Sequence, residues 1–285
     1  MQQNAEFNTE LRKRLNVASA NSTIINDERI SQIYEYCIEK IIRHQAEEFY
    51  KDFPLKSIIQ NLIEDFCRME TFHRKDNFGD FCLALYQQIE CMTNTLCENP
   101  DLSEITSKMW GCPAYVKDND ISHRVSENYP IAKLIFYGEN PQTGNFRYIE
   151  KSQSTLQVQY ANDKMRIIVY FLGYKAMMES GNYYSYTEYT SLLYEIYQCR
   201  NMNHRGNTRK QQEIDIFNKI YPLKSFYYFK FMGALAQYVD YIKSGYPFIP
   251  ELKKFSDSIK KQKVTLPGPK TVGYIQLKDD GKKRF

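Results

Sequence analysis

Apolar positions recur at helical spacing through most of the chain, broken by short polar turns and by prolines. Ile30, Ile33, Tyr34, Cys37, Ile38, Ile41, Ile42 and Phe49 form one stripe that stops before Pro54. That spacing predicts an amphipathic helix over 28–51, with Asp27 as its N-cap. Leu55, Ile58, Ile59, Leu62, Ile63, Phe66 and Cys67 repeat the pattern, and Phe78, Cys82, Leu85, Tyr86, Ile89, Met92 and Leu96 repeat it again before Pro100. Asp101, Ser103 and Glu104 open a short fourth helix ending near Trp110. Consecutive amphipathic helices with short joins bury their stripes against one another, so 28–110 is expected to be an antiparallel helical layer.

The texture changes over 111–160. Pro113, Pro130 and the polar run between them mark a long connection. Two short runs, 131–137 and 145–150, flank Gly138-Glu139-Asn140-Pro141-Gln142-Thr143-Gly144, the pattern of a β-hairpin, with 155–160 as a third short strand. The helical period returns in Met165, Ile168, Val169, Leu172 and Ala176, then in Tyr189, Leu192, Leu193, Ile196 and Cys199. Ile214, Phe217 and Ile220 carry it on, and Pro222 restarts it through Leu223, Phe226, Phe231, Leu235, Tyr238, Val239 and Ile242. The expected fold is therefore mainly α: an N-terminal helical layer, a small β-hairpin insertion and, over 161–244, a four-helix up-down bundle. The polar, Asn- and Gln-rich segment 1–27 is expected to be a mobile leader. The segment 245–285, with Pro247, Pro250, Pro267 and Pro269 and no long apolar face, is expected to be an extended arm.

Composition narrows the function classes. At 42% hydrophobic and 25% charged the chain can bury a substantial core. No apolar run approaches the roughly 18 residues that span a bilayer, and the first residues lack the charged and apolar sections of a secretory signal. A cytoplasmic protein without membrane partners is the expectation. Seven cysteines, an odd number with no pair two to four residues apart, fit reduced core thiols better than disulfides or a local zinc clip, so no metal or other cofactor is expected. Phosphate-binding glycine loops, dinucleotide fingerprints, serine elbows and His-Glu-x-x-His are all missing, which removes the signatures of several enzyme classes. The net charge is only +4, but it is unevenly placed: ten basic residues against four acidic ones lie in 245–285. Lys253, Lys254, Lys260, Lys261 and Lys263 make this arm a candidate contact for a phosphate backbone.

The segment Cys199-Arg200-Asn201-Met202-Asn203-His204-Arg205-Gly206-Asn207-Thr208-Arg209-Lys210 concentrates chemistry at the end of a helix. Arg200 and His204 are four apart and share a helical face beside the apolar stripe. Arg205, Arg209 and Lys210 add positive charge around a group that can carry a proton near neutral pH. Cleavage of RNA without a metal asks for little more: an acid or base to manage the 2′-hydroxyl or the leaving oxygen, and a fixed cation to hold the phosphate. Cations in a last helical turn also complement the helix dipole with no further role, and that plainer account fits the same residues. The tyrosines nearby, out of 24 in the chain, fit stacking on bases or ordinary half-buried packing.

With its Arg, following polar residue and His a turn later, this segment resembles the HEPN superfamily of helical ribonucleases over about 155–244. The resemblance implies a metal-independent endoribonuclease acting on single-stranded RNA, commonly a dimer with a composite site, often within prokaryotic toxin or antiviral systems. It assigns Arg200 to phosphate stabilisation, Asn201 to the following polar position and His204 to acid–base chemistry. One feature departs from the family: at least four residues usually separate Arg and His, whereas here Asn201, Met202 and Asn203 intervene. One residue rotates a side chain by about 100° around a helix, so catalysis requires the helix to unwind or tighten near Asn203. The competing expectation is a non-catalytic helical adaptor in a nucleoprotein assembly, contacting nucleic acid through the basic arm.

Overall fold

The computed structural model describes residues 27–112, 131–137, 155–179, 186–203 and 211–258. Residues 1–26 of the expected leader and the segments 113–130, 138–154, 180–185, 204–210 and 259–285 lie outside the described residues. Ten α-helices are described: α1 (Asp27–Phe49), α2 (Ile59–Arg74), α3 (Phe78–Cys97), α4 (Pro100–Met109), α5 (Ile131–Tyr137), α6 (Ala161–Glu179), α7 (Tyr186–Asn203), α8 (Gln211–Ile220), α9 (Lys224–Gly245) and α10 (Ile249–Ser258). Short 3₁₀ turns sit before α2, α6, α9 and α10. Among the described residues there is no strand.

α3 holds the fold together. Its residues Phe78, Phe81, Cys82, Leu85, Tyr86, Ile89, Met92 and Leu96 are all buried, and so are Gln88 and Thr93. A helix apolar on most of its circumference belongs in the interior, and α3 contacts α2, α4, α6, α7 and α9. Its start is defined by Asn77, whose side chain accepts from the Asp80 backbone N–H at 3.2 Å. Just before it, Asp76 takes the left-handed conformation (φ 53°) that short polar side chains tolerate, and this turns the chain between α2 and α3. The Asp76 carboxylate also accepts from Lys224 at 2.5 Å, tying that turn to the start of α9.

One core runs from α1 through α10, so the N-terminal and C-terminal helices pack on shared residues. α6 contributes an uninterrupted buried run from Ile167 to Leu172. Several buried polar groups inside this core are paired with defined partners. The Tyr50 hydroxyl donates to Gln88 Oε1 at 2.6 Å, Tyr189 donates to the Ala234 carbonyl at 2.7 Å, and Thr93 and Tyr238 share a bond of 2.6 Å between α3 and α9. Satisfied pairs of this kind select one helix arrangement, because any other leaves a buried hydroxyl unbonded.

Two expectations change. The run 131–137, expected as a strand of a hairpin, is the helix α5, and 155–160 contains a 3₁₀ turn at Leu156–Val158. Short apolar runs carry no period of their own, and tertiary packing decides: Ile131, Ala132, Leu134 and Ile135 are buried, α5 packs on α6, and Phe136 lies 5.6 Å from Trp110. The start of the expected extended arm is also helical. Ile249, Leu252 and Ser256 of α10 are buried, α10 lies on α4, and Pro250 falls in its first turn, where a missing N–H costs nothing.

α10 is held to α4 by a charge network. Lys253 contacts Asp101 and lies 3.3 Å from Glu104, while Lys108 bonds Glu104 at 2.5 Å and also reaches Asp257. The hydrogen bonds from Lys108 and Lys253 hold the Glu104 carboxyl below its ordinary value. A depressed carboxylate contributes stability above its unfolded pKa and loses it as pH falls through the folded one. Lys253→Met, molar salt, or acidification below the ordinary carboxylate range should each speed hydrogen exchange of the α10 amides, after correction for intrinsic rates, while α3 stays protected. Unchanged α10 exchange in all three conditions would show that the apolar contacts alone dock the helix.

Candidate functional site

The last turn of α7 presents Arg200 and Asn201 toward different neighbours. The α7 residues Leu192, Leu193, Ile196 and Cys199 are buried, which fixes the rotation of the helix. Arg200 then falls at the edge of the core facing α3, with its side chain only 15% exposed. Side chains lean toward the N-terminus of their own helix, and the guanidinium accordingly lies over the Tyr86 ring, 5.1 Å from its centroid. Its Nη2 is 3.7 Å from the Glu90 carboxylate, and its Nη1 donates to Asn201 Oδ1 at 3.0 Å.

Among the described residues the fork is not saturated. A guanidinium carries five N–H donors. Arg200 Nε is buried without a hydrogen-bond partner among the described residues, and the Glu90 contact is longer than a hydrogen bond. The hydroxyl of Tyr86, the ring beneath it, is likewise unbonded among the described residues. Burial, followed by the Glu90 charge, pushes the Tyr86 phenol well above its ordinary range, with Arg200 pulling the other way, so Tyr86 is a neutral wall of the site. The Cys82 thiol, buried and hydrogen-bonded to Cys199, is also pushed well above its ordinary value. It is a core thiol rather than a nucleophile.

Asn201 points the other way. It is buried, and its Nδ2 donates to Glu213 Oε1 at 2.9 Å, joining the end of α7 to the first turn of α8. Asn201 therefore holds Arg200 through its oxygen and α8 through its nitrogen. Glu213→Ala should destabilise the fold by about 1–3 kcal/mol in a denaturant titration, because it strips the acceptor from a buried amide. Glu213→Gln keeps an acceptor oxygen and should cost markedly less. Equal losses would mean that the amide finds another partner.

Of the residues singled out from sequence, Arg200 and Asn201 are brought together by a direct bond. His204, Arg205, Arg209 and Lys210 lie outside the described residues, as do Lys260, Lys261 and Lys263. Lys253, expected to meet phosphate, instead has its charge offset by Asp101 and Glu104. Lys254 is exposed and has no ion-pair partner among the described residues. The sequence pattern gave no direct sign of three contributors: Tyr86, Glu90 and Glu213. Glu90 left a signal, since it and Asp80 are the charged residues of an otherwise apolar helix, and Tyr86 stands one turn before it on the same face.

Among the described residues no three His, Cys, Asp or Glu side chains form a metal-binding group, and no helix is long and apolar enough to cross a membrane. No family model, curated protein or solved structure matches the chain.

Proposed function

We propose that the protein binds single-stranded RNA and cleaves it without a metal, in the manner of HEPN ribonucleases, with Arg200 as the phosphate ligand and His204 as the proton carrier. The observation that carries this reading is the state of Arg200: a largely buried guanidinium at the end of a helix, fixed by Tyr86, Glu90 and Asn201 and only partly hydrogen-bonded among the described residues. A cation so held needs little reorganisation as charge develops on a phosphate oxygen, which is the condition under which a fixed charge stabilises a transition state. An imidazole at His204 would exchange the proton of the 2′-hydroxyl or of the leaving 5′-oxygen. One chain supplies one such pair, and a symmetric dimer would bring two together.

The test is incubation of the protein with end-labelled single-stranded RNA in EDTA, alongside Arg200→Ala and His204→Ala. Cleavage by the unaltered protein that both variants lose is the expected result. Intact RNA with the unaltered protein, under every condition tried, overturns the enzymatic reading.

A second reading has its own support. Glu90 already offsets Arg200 in part, and Asn201 serves as a strut to α8. Those roles suit a non-catalytic adaptor that grips nucleic acid through the basic residues following α10. Salt-sensitive RNA binding that vanishes on deleting 259–285, without cleavage, selects it.

A further inference from the structure

Opposite the buried stripe of α9, its first two turns and the 3₁₀ turn before them expose four large side chains together. Tyr221, Leu223, Phe226 and Phe229 are 45%, 58%, 63% and 72% exposed. Aromatic rings of this size are ordinarily the most buried groups on a helix, and here Tyr227, Tyr228 and Phe231 of the same segment take that place. The exposed rings are backed and oriented. Tyr221 stacks on Phe217 with centroids 5.1 Å apart and planes 25° from parallel, and Phe229 meets the edge of His73 at 6.0 Å.

One lysine lies against the Tyr221 ring, and two more adjoin Asp76 and Tyr221 along the chain. Lys224 lies 5.4 Å from the Tyr221 centroid while bonding Asp76. Lys75, next to Asp76, and Lys219, two residues before Tyr221, are both exposed with no ion-pair partner among the described residues. The patch also lies at the same end of the bundle as Arg200. Tyr189 bonds the Ala234 carbonyl and Glu195 lies 3.6 Å from Lys230, so α7 and α9 run antiparallel and the first turns of α9 stand level with the last turns of α7.

We propose that Tyr221, Phe226 and Phe229 form a stacking platform for unpaired bases, with Lys75 and Lys219 tracking the phosphates between them. This inference rests on the nucleic-acid reading above and extends it from the phosphate to the bases. Flat rings spaced among lysines complement a strand that alternates flat apolar bases with single negative charges. A second protein surface is the poorer match in size: four side chains of about 150–250 Å², exposed by about half, offer roughly 400–500 Å², short of the about 800 Å² per partner of a stable interface.

The experiment uses the full chain and a short fluorescent 2′-O-methyl oligonucleotide, which lacks the 2′-hydroxyl needed for cleavage, and follows anisotropy in EDTA. Phe226→Ser combined with Phe229→Ser should weaken binding about tenfold or more, and Phe226→Trp combined with Phe229→Trp should retain it. A strand of abasic sites should bind the serine variant and the unaltered protein equally. Lys75→Glu with Lys219→Glu should lower the slope of log affinity against log salt by one to two, about 0.7 for each phosphate of a single strand no longer neutralised. Both rings are exposed, so the variants should melt with the unaltered protein, which circular dichroism checks.

Unchanged affinity in the serine variant overturns the platform, as does a weakening that the abasic strand shares. Conversion of a self-associating protein to monomers by the serine changes, with oligonucleotide binding intact, also overturns it and assigns the patch to a second copy. The two proposals fail separately: a serine variant that binds normally while Arg200→Ala abolishes cleavage removes the platform alone, and base-dependent binding without any cleavage removes the ribonuclease alone.

Discussion

Gly245→Ala is expected to be among the most damaging single substitutions in the chain, costing several kcal/mol and abolishing cooperative folding at moderate temperature. Gly245 ends α9 where that helix crosses α6. A Cβ built on it would lie 2.7 Å from both Cα and Cβ of Leu172, and closer still to the Leu172 carbonyl oxygen. Two of these are backbone atoms within the buried run of α6 and the Cβ moves only with that backbone, so no rotamer change relieves the clash and the two helices must separate. Inserting one methyl group into a packed core ordinarily costs about 1–3 kcal/mol, and a clash with main chain exceeds that range against a total stability of about 5–15 kcal/mol. The single tryptophan is a convenient reporter, since Trp110 is buried with Phe171, the neighbour of Leu172, 6.0 Å away. The control is Gly233→Ala in the same helix, where an added Cβ meets nothing within 4 Å. That change should stabilise the protein by about 0.5–1 kcal/mol through helix propensity. If both variants unfold at the same urea concentration, the close approach of α6 and α9 is wrong.

On the proposed ribonuclease reading, Arg200→Ala is expected to lower RNA cleavage by about 10²–10³-fold, the range found when one preorganised charge-stabilising donor is removed from a transition state. It should also destabilise the fold by about 1–3 kcal/mol, because it strips the donor from the buried Asn201 oxygen, although Glu90, 34% exposed, can turn to water once the guanidinium is gone. Arg200→Lys should recover little. An ammonium keeps the charge but cannot lie flat over Tyr86 while also offering parallel donors to Asn201 and to a phosphate. Loss of kcat/KM in both variants, measured at a temperature where circular dichroism shows each still folded, is the combination expected of a ligand to the reacting phosphate. If Arg200→Ala cleaves RNA as well as the unaltered protein, Arg200 is a helix-end charge that packs on Tyr86 and no more.

The long helices were legible because their apolar residues recur at a period that no other element uses. The stripe from Phe78 to Leu96 announces α3, and those from Met165 and from Leu223 announce α6 and α9. α5 and α10 were not legible for opposite reasons. Ile131–Tyr137 is apolar in nearly every position, so its sequence does not separate a buried helix from a buried strand. Ile249–Ser258 carries one narrow apolar stripe beside two prolines, and its prolines read as breakers although Pro250 occupies the helix start.

For the candidate site, local sequence sufficed for Arg200 and Asn201, which are adjacent, polar and at the end of a periodic run. It could not supply Tyr86 and Glu90, more than 100 residues away, or show that Asn201 is engaged by Glu213. The exposed rings of α9 follow the same logic. Phe226, Tyr227, Tyr228, Phe229 and Phe231 form one aromatic run in sequence, and only the packing of α9 against α3, α6 and α7 divides it into core and surface.

Sequence by itself therefore determined the mainly helical character of this protein, the extent of its longer helices and the place of its most chemically loaded segment, since all three depend on spacing along the chain. Tertiary structure alone decided which side chains surround Arg200, that Lys253 is paired, and which aromatic rings face outward. Those outcomes depend on how helices are rotated and crossed. That rotation is set by the summed burial of many distant residues, which no local spacing encodes.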